Sequence, residues 1–135
     1  MARIEVPIIT TITGEGGSGG ALALAVSDRV FMMENSVYSV ISPEGCASIM
    51  WRDASKKEVA AQALRITPPD LREMGIIDEI IPEPDGGAHL DHDAAAMMVN
   101  EVLARTYTEL KSKSAHELTE ARYNKFRQMA HFFTE

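Results

Sequence analysis

One stretch decides how the fold of this chain is read: residues 14–20, Gly-Glu-Gly-Gly-Ser-Gly-Gly, where five of seven residues lack a side chain. The run before it, Val6–Thr13, is rich in β-branched residues and predicts a buried strand. The run after it, Ala21–Val26, predicts a helix of small and medium residues. A strand that turns through glycines into a helix leaves backbone N–H groups free at the positive end of the helix dipole. We therefore expect a negatively charged group to bind above this turn.

The remaining sequence alternates predicted strands with predicted helices. Ser42 and Pro43 form a strong helix start, with the serine as N-cap and the proline at the first helical position. By the same reasoning Thr67 begins a short helix that Gly75 ends. The alternation predicts an α/β fold, with residues 1–135 forming a single and incomplete domain. The further predicted strands cover 29–34, 36–41 and 76–81, and the further predicted helices cover 42–51, 56–64, 93–110 and 115–129.

Composition excludes several classes of function. Thirteen basic residues against 20 acidic ones give a net charge of −7, which argues against nucleic acid and anionic membrane as partners. The apolar runs are far shorter than the roughly 20 residues of a membrane-spanning helix, so we expect a soluble protein. The single cysteine, Cys46, cannot form an internal disulfide, and this predicts a reducing, cytoplasmic location.

Three kinds of anion site are compatible with a glycine-rich turn in general. A phosphate-binding P-loop is excluded here, because no lysine occurs between Arg3 and Lys56. The spacing Gly14-x-Gly16-x-x-Gly19 matches the dinucleotide-binding fingerprint, and Glu34 follows at the expected distance, so a non-catalytic dinucleotide-binding module remains an alternative. The third possibility is an oxyanion hole, in which the amides stabilise negative charge that develops during a reaction.

Longer stretches carry a resemblance to a known family. Residues 14–25 and 35–49 resemble the alpha subunits of bacterial and plastid acetyl-CoA carboxylase carboxyltransferases. The resemblance continues through residues 76–84 and 86–89, in the family's order. It implies a crotonase-like (ClpP/crotonase) α/β fold of repeated ββα units, of which this chain is the C-terminal portion with terminal helices. The N-terminal half of the family's subunit is absent from the sequence.

The resemblance also implies an activity and a site. The family transfers a carboxyl group from carboxybiotin, held by biotin carboxyl carrier protein, to acetyl-CoA, giving malonyl-CoA for fatty acid biosynthesis. The amides of Gly19 and Gly20 are the implied oxyanion hole, and Gly16, Gly17 and Ser18 are the implied substrate-binding residues. The active site is implied to lie between this subunit and a carboxyltransferase beta subunit in a hetero-oligomer. Biotin's ring nitrogen serves as the base, so no acid–base side chain is expected.

Other residues suggest different chemistry. Glu44 stands at a predicted helix N-terminus, where hydratases of the same superfamily place a catalytic carboxylate. An acyl-CoA hydratase or hydrolase is therefore a further alternative. For Glu44 itself we favour stabilisation of the helix dipole. His89 and His92 stand among acidic residues but lack a well-spaced third ligand, and we expect no bound metal. Arg122, Lys125 and Arg127 could meet CoA phosphates, although we expect them on a solvated helix face.

Overall fold

A computed structural model describes residues 1–129 of the chain. Its five strands are β1 (Ile9–Ile12), β2 (Glu15–Gly17), β3 (Arg29–Met33), β4 (Val37–Ser39) and β5 (Glu79–Ile81). Its six α-helices are α1 (Ser18–Leu24), α2 (Pro43–Trp51), α3 (Lys57–Leu64), α4 (Pro68–Glu73), α5 (His92–Leu110) and α6 (Ala115–Arg127). A short 3₁₀ turn, Ala54–Lys56, precedes α3.

The strands form two small parallel sheets. In the first, β3 lies between β1 and β5, and in the second β2 pairs with β4. The segment β1-β2-α1 gives one strand to each sheet, and the segment β3-β4-α2 does the same; β5 completes the first sheet. These are two consecutive ββα units, as the resemblance implied, and the predicted α/β class is confirmed.

The glycine stretch is more ordered than its composition suggests. The sequence predicted a loop through Gly20 and a helix from Ala21, but β2 occupies Glu15–Gly17 and α1 already begins at Ser18. Glycine has a low propensity for both strands and helices, which is why local reasoning missed both elements. The pairing of Gly16 with Tyr38 of β4 overrides that propensity. The predicted strand over 76–81 is also too long, since β5 covers only its last three residues.

The core lies on both faces of the three-stranded sheet. Alternate residues of β3 point to opposite faces, and four of them are at most 3% exposed. Val30 and Met32 join a cluster beneath α1 and α4, which includes Ala25 and Leu71. Phe31 and Met33 join a second cluster, formed with α5. β3 is thus covered on both faces, and it lies within the strand predicted over 29–34.

The helix starts follow the predicted caps with one difference. Ser42 Oγ accepts the Gly45 N–H at 3.1 Å, and Pro43 is the first residue of α2, as predicted. Thr67 is the N-cap residue of α4, but its hydroxyl does not cap the helix backbone. It donates instead to Asp70 Oδ2 at 2.6 Å. Gly75, which follows α4, has a φ of +70°, a conformation in which glycine is favoured.

Helix α6 is fixed to the start of the sheet by a buried arginine. Arg122 and Asp28 are 1% and 4% exposed, and Arg122 Nε and Nη2 donate to the two carboxylate oxygens at 2.9 and 2.8 Å. The other guanidinium hydrogens reach backbone carbonyl oxygens, those of Met1 at 3.0 Å, Ile4 at 2.8 Å and Val6 at 3.2 Å. All five guanidinium donors are therefore satisfied. The expectation of a solvated face is wrong for Arg122, because its acceptors lie in distant parts of the chain.

Lys125 lies one turn further along α6 and, like Arg122, pairs with an aspartate that precedes a strand of the first sheet. It forms an ion pair with Asp78, whose Oδ2 also accepts the Val30 N–H at 2.7 Å. In the same way Asp28 Oδ2 accepts the Ile8 N–H at 2.7 Å. Each aspartate thus holds an amide at the N-terminal end of the neighbouring strand and a cation of α6. The interaction that the sequence suggested with CoA phosphates is not needed to explain either cation.

The neighbouring threonines of β1 give opposite predictions for stability. Thr11 Oγ1 is buried without a hydrogen-bond partner among the described residues, whereas Thr10 Oγ1 donates to Leu24 O at 2.8 Å. An unsatisfied buried hydroxyl costs free energy that a methyl group does not. We expect Thr11→Val to raise the free energy of unfolding by about 1 kcal/mol and Thr10→Val to lower it by about 1 kcal/mol. Urea denaturation of both variants measures this, and shifts of the same sign would contradict it.

Candidate active site

The predicted site residues lie together where β2 passes into α1. Gly17 is the N-cap of α1, with extended backbone (φ −124°, ψ 153°), and no side chain caps the helix. Gly19 and Gly20 belong to the first helical turn, whose N–H groups have no intrahelical acceptor. Gly17, Ser18, Gly19 and Gly20 are all exposed, whereas Gly16 is half-buried. The arrangement therefore presents several backbone donors at an uncovered helix N-terminus.

The glycines of this stretch are required for different reasons. A Cβ on Gly16 would lie 3.1 Å from both Ile12 Cγ1 and Tyr38 Cδ2, so packing explains this glycine. Apart from its chain neighbours and the adjoining helix backbone, a Cβ on Gly17, Gly19 or Gly20 would meet no described atom within 4 Å. None of the three has the positive φ that favours glycine. Packing and backbone conformation within the described chain thus leave them unexplained, and close approach by another molecule gives a reason for them.

Ser18 adopts an uncommon backbone conformation between these glycines. Its φ is +63°, in the left-handed region that residues with a side chain rarely occupy. Such a conformation costs on the order of 1–3 kcal/mol and occurs most often at functional sites. The backbone of Ser18 changes the direction of the chain between Gly17 and Gly19. The sequence did not reveal this role.

A groove of about 420 Å³ runs along the glycine stretch. Its ionisable lining residue is Glu15, and its remaining polar side chains are threonine hydroxyls. The lining consists of Thr10, Thr11, Ile12, Thr13, Gly14, Glu15, Gly16, Gly17, Ala21 and Leu24. The threonines and Glu15 were not among the predicted site residues. Because residues 10–17 line the groove consecutively, the alternation of a strand gives no signal that would group them. The lining includes Gly16 and Gly17 but not Ser18, Gly19 or Gly20, so the groove borders the glycine stretch without containing the predicted oxyanion donors.

The alternative interpretations fit this geometry less well. A dinucleotide fingerprint needs a single strand-to-helix turn, but β2 separates β1 from α1. Glu34 accepts the Glu83 N–H at 3.2 Å, a contact between the turn that follows β3 and the loop that follows β5. Glu44 lies in the first turn of α2, is exposed and approaches Lys57 Nζ to 3.6 Å. That position matches the helix-dipole role favoured for it.

Metal and membrane interpretations find no support over the described residues. Residues 1–129 contain no group of three His, Cys, Asp or Glu side chains placed to hold a metal ion. Asp91 is used as the N-cap of α5, where its Oδ1 accepts the Ala94 N–H at 2.9 Å. Cys46 is half-buried in α2. None of the helices in this part of the chain is long and apolar enough to cross a membrane.

The chain has the fold of a crotonase-like α/β protein. It contains two ββα units, its parallel sheets are shared between them, and a glycine-rich strand leads into a helix. The chain is similar in fold to a Pseudomonas malonate decarboxylase hetero-tetramer solved with coenzyme A, with a TM-score of 0.64 and 14% identity over 93% of this chain and 51% of that one. It is also similar to transcarboxylase 12S, with a TM-score of 0.53 and 23% identity over 60% of this chain and 18% of that one. At such identities the likeness concerns the fold alone.

Sequence comparison identifies the family. The family model described as acetyl co-enzyme A carboxylase carboxyltransferase-like matches residues 1–130, and the chain belongs to this family. Among curated relatives, the acetyl-coenzyme A carboxylase carboxyl transferase subunits alpha of Geobacter metallireducens and Thermus thermophilus are 59% and 52% identical over 132 residues. Each alignment covers 98% of this chain and 42% of the relative. The chain thus spans less than half the length of these relatives.

Proposed function

We propose that this chain takes part in carboxyl transfer from carboxybiotin to acetyl-CoA, giving malonyl-CoA, as part of an alpha subunit of carboxyltransferase. The supporting observation is the set of exposed glycines, Gly17, Gly19 and Gly20, whose missing side chains leave open space over the start of α1. Membership of the carboxyltransferase-like family over residues 1–130 supports the same activity.

The proposed mechanism uses backbone groups. The amides of Gly19 and Gly20 would hold the carbonyl oxygen of carboxybiotin, the group that would supply the carboxyl, and would stabilise negative charge on that oxygen. Preorganised donors aimed at developing charge lower the barrier most when water is excluded. Gly17 and Ser18 contact the same ligand, and Gly16 keeps β2 close to Tyr38 so that the turn is held in place. Biotin would also supply the base, so the proposed mechanism assigns no acid–base role to a side chain of this chain.

The proposed partners are a carboxyltransferase beta subunit, which binds the acetyl-CoA thioester, and biotin carboxyl carrier protein, in a cytoplasmic hetero-oligomer. An exposed apolar surface on α2 supports association with another chain. Ile49, Met50 and Trp51 are 71%, 68% and 42% exposed there. Coenzyme A in the malonate decarboxylase structure and methylmalonyl-coenzyme A in the transcarboxylase structure support an acyl-CoA substrate.

A segment exchange tests this function. We expect the 135-residue chain alone to give no turnover in malonyl-CoA decarboxylation with free biotin, because the partner amides are missing. Exchanged for the matching segment of the Geobacter metallireducens subunit alpha, to which it is 59% identical, it should support carboxyl transfer with the beta subunit. We refer to this assembly as the chimeric enzyme. An assembled but inactive chimeric enzyme, or turnover by the purified chain alone, would contradict the proposal.

A further inference from the structure

The carboxylate of Glu83 joins two separate turns of the chain. Glu83 follows β5 and is half-buried; its Oε1 accepts the Asn35 N–H at 3.0 Å, and its Oε2 accepts the Ala88 N–H at 2.9 Å. The bonds from Ala88 and then Asn35 hold the pKa of Glu83 below its usual range. Both oxygens are therefore engaged as acceptors of the ionised group.

One of these turns leads directly to the glycine stretch. Asn35 lies in the turn between β3 and β4, and at the start of β4 the Val37 N–H donates to Gly14 O at 2.8 Å. From there β4 pairs with β2, so that Gly17 lies opposite Ser39. Because Gly17 is also the N-cap of α1, the position of the turn is transmitted through the backbone to the first helical turn.

We propose that Glu83 is a positioning residue for the glycine stretch, holding the β3–β4 turn so that β4 fixes β2 and the amides at the start of α1. This role rests on the function proposed above. Neither Glu83 nor its two donors line the groove, so Glu83 acts through the backbone. Displacement of catalytic groups by about 1 Å can cost on the order of 10² in rate, which makes such support measurable.

The substitution Glu83→Gln separates this role from general charge effects. A glutamine side chain has one carbonyl oxygen, so it can accept one of the two N–H groups and turns an NH₂ donor toward the other. Glu34 provides the matched control, since its carboxylate accepts one described N–H, that of Glu83 at 3.2 Å. An amide oxygen can replace that acceptor, so Glu34→Gln removes the same charge while keeping the contact.

The experiment measures kcat, KM and amide hydrogen exchange in the chimeric enzyme. For Glu83→Gln we expect kcat to fall about tenfold, KM for the acyl-CoA to stay within about twofold, and exchange of the Val37 amide to become faster. Glu34→Gln should leave all three within about twofold. Unchanged kcat in Glu83→Gln, or a lower kcat with unchanged exchange at Val37, would overturn the positioning role.

Gly20→Val is measured in parallel to separate the two proposals. If Glu83→Gln leaves kcat unchanged while Gly20→Val lowers it, only the positioning role of Glu83 is wrong. If Gly20→Val leaves kcat unchanged, the assignment of Gly19 and Gly20 as oxyanion donors, on which the proposed mechanism rests, is wrong.

Discussion

Gly20→Val in the chimeric enzyme is expected to lower kcat by about 10²–10³, the usual cost of losing one oxyanion-hole donor. The valine side chain would occupy the open space over the first turn of α1, where the proposed biotin carbonyl must approach the amides of Gly19 and Gly20. Stability should change little, because a Cβ at Gly20 meets no described atom within 4 Å apart from its chain neighbours and the adjoining helix backbone. Replacing a helical glycine also reduces the entropy lost on folding. The readouts are kcat per folded complex and Tm.

A glycine required for packing provides the control. Gly86 has a φ of +87°, and a Cβ there would lie 2.6 Å from Leu90 Cδ1, so Gly86→Ala should lower Tm. Its activity should follow the folded fraction. Gly20→Val should show the opposite order, with activity lost and Tm retained. If folded Gly20→Val kept near-normal kcat, the assignment of Gly19 and Gly20 as oxyanion donors would be wrong.

Arg122→Met is expected to have the largest effect on stability. It removes five hydrogen bonds and leaves the carboxylate of Asp28, which is 4% exposed, without its cation. Breaking a buried ion pair by removing one partner costs about 3–5 kcal/mol, since the remaining charge stays desolvated. That is a large fraction of the roughly 5–15 kcal/mol that stabilise a typical domain. Urea denaturation of the 135-residue chain measures the loss.

The same substitution at a surface ion pair is the control for Arg122→Met. Arg105 pairs with Glu79, and their side chains are 55% and 41% exposed. Solvent screens such a pair, so Arg105→Met should change the free energy of unfolding by about 0–1 kcal/mol. Equal losses in Arg105→Met and Arg122→Met would show that the buried cluster does not hold α6 to the sheet.

Much of the fold could be predicted because its signals are local. The Ser42-Pro43 cap places the start of α2, and the apolar run of β3 marks a strand covered on both faces. The resemblance of residues 14–25 and 35–49 to carboxyltransferase alpha subunits pointed to the family that the comparison of residues 1–130 identifies. These patterns need only neighbouring residues to be recognised, so a single sequence is enough.

The candidate site could be predicted only as a stretch of the chain. Five glycines indicated that backbone amides matter, but composition made Gly16 and Gly20 look equivalent. The structure separates them, because Gly16 packs against Tyr38 while Gly20 borders open space. The left-handed conformation of Ser18 was likewise invisible, since serine gives no signal for positive φ. Local composition cannot report which neighbours the fold brings against a residue.

By itself, the sequence determined the α/β class, most helix starts, the glycine stretch and the family resemblance, all of which follow from short-range propensities and contiguous motifs. Only the tertiary structure decided that residues 15–17 form a strand, that α1 begins at Ser18 and that Arg122 is buried against Asp28. The physical reason is sequence separation. The pairing of β2 with β4, and the contact between Asp28 and Arg122 across 94 residues, arise only when distant parts of the chain have folded together.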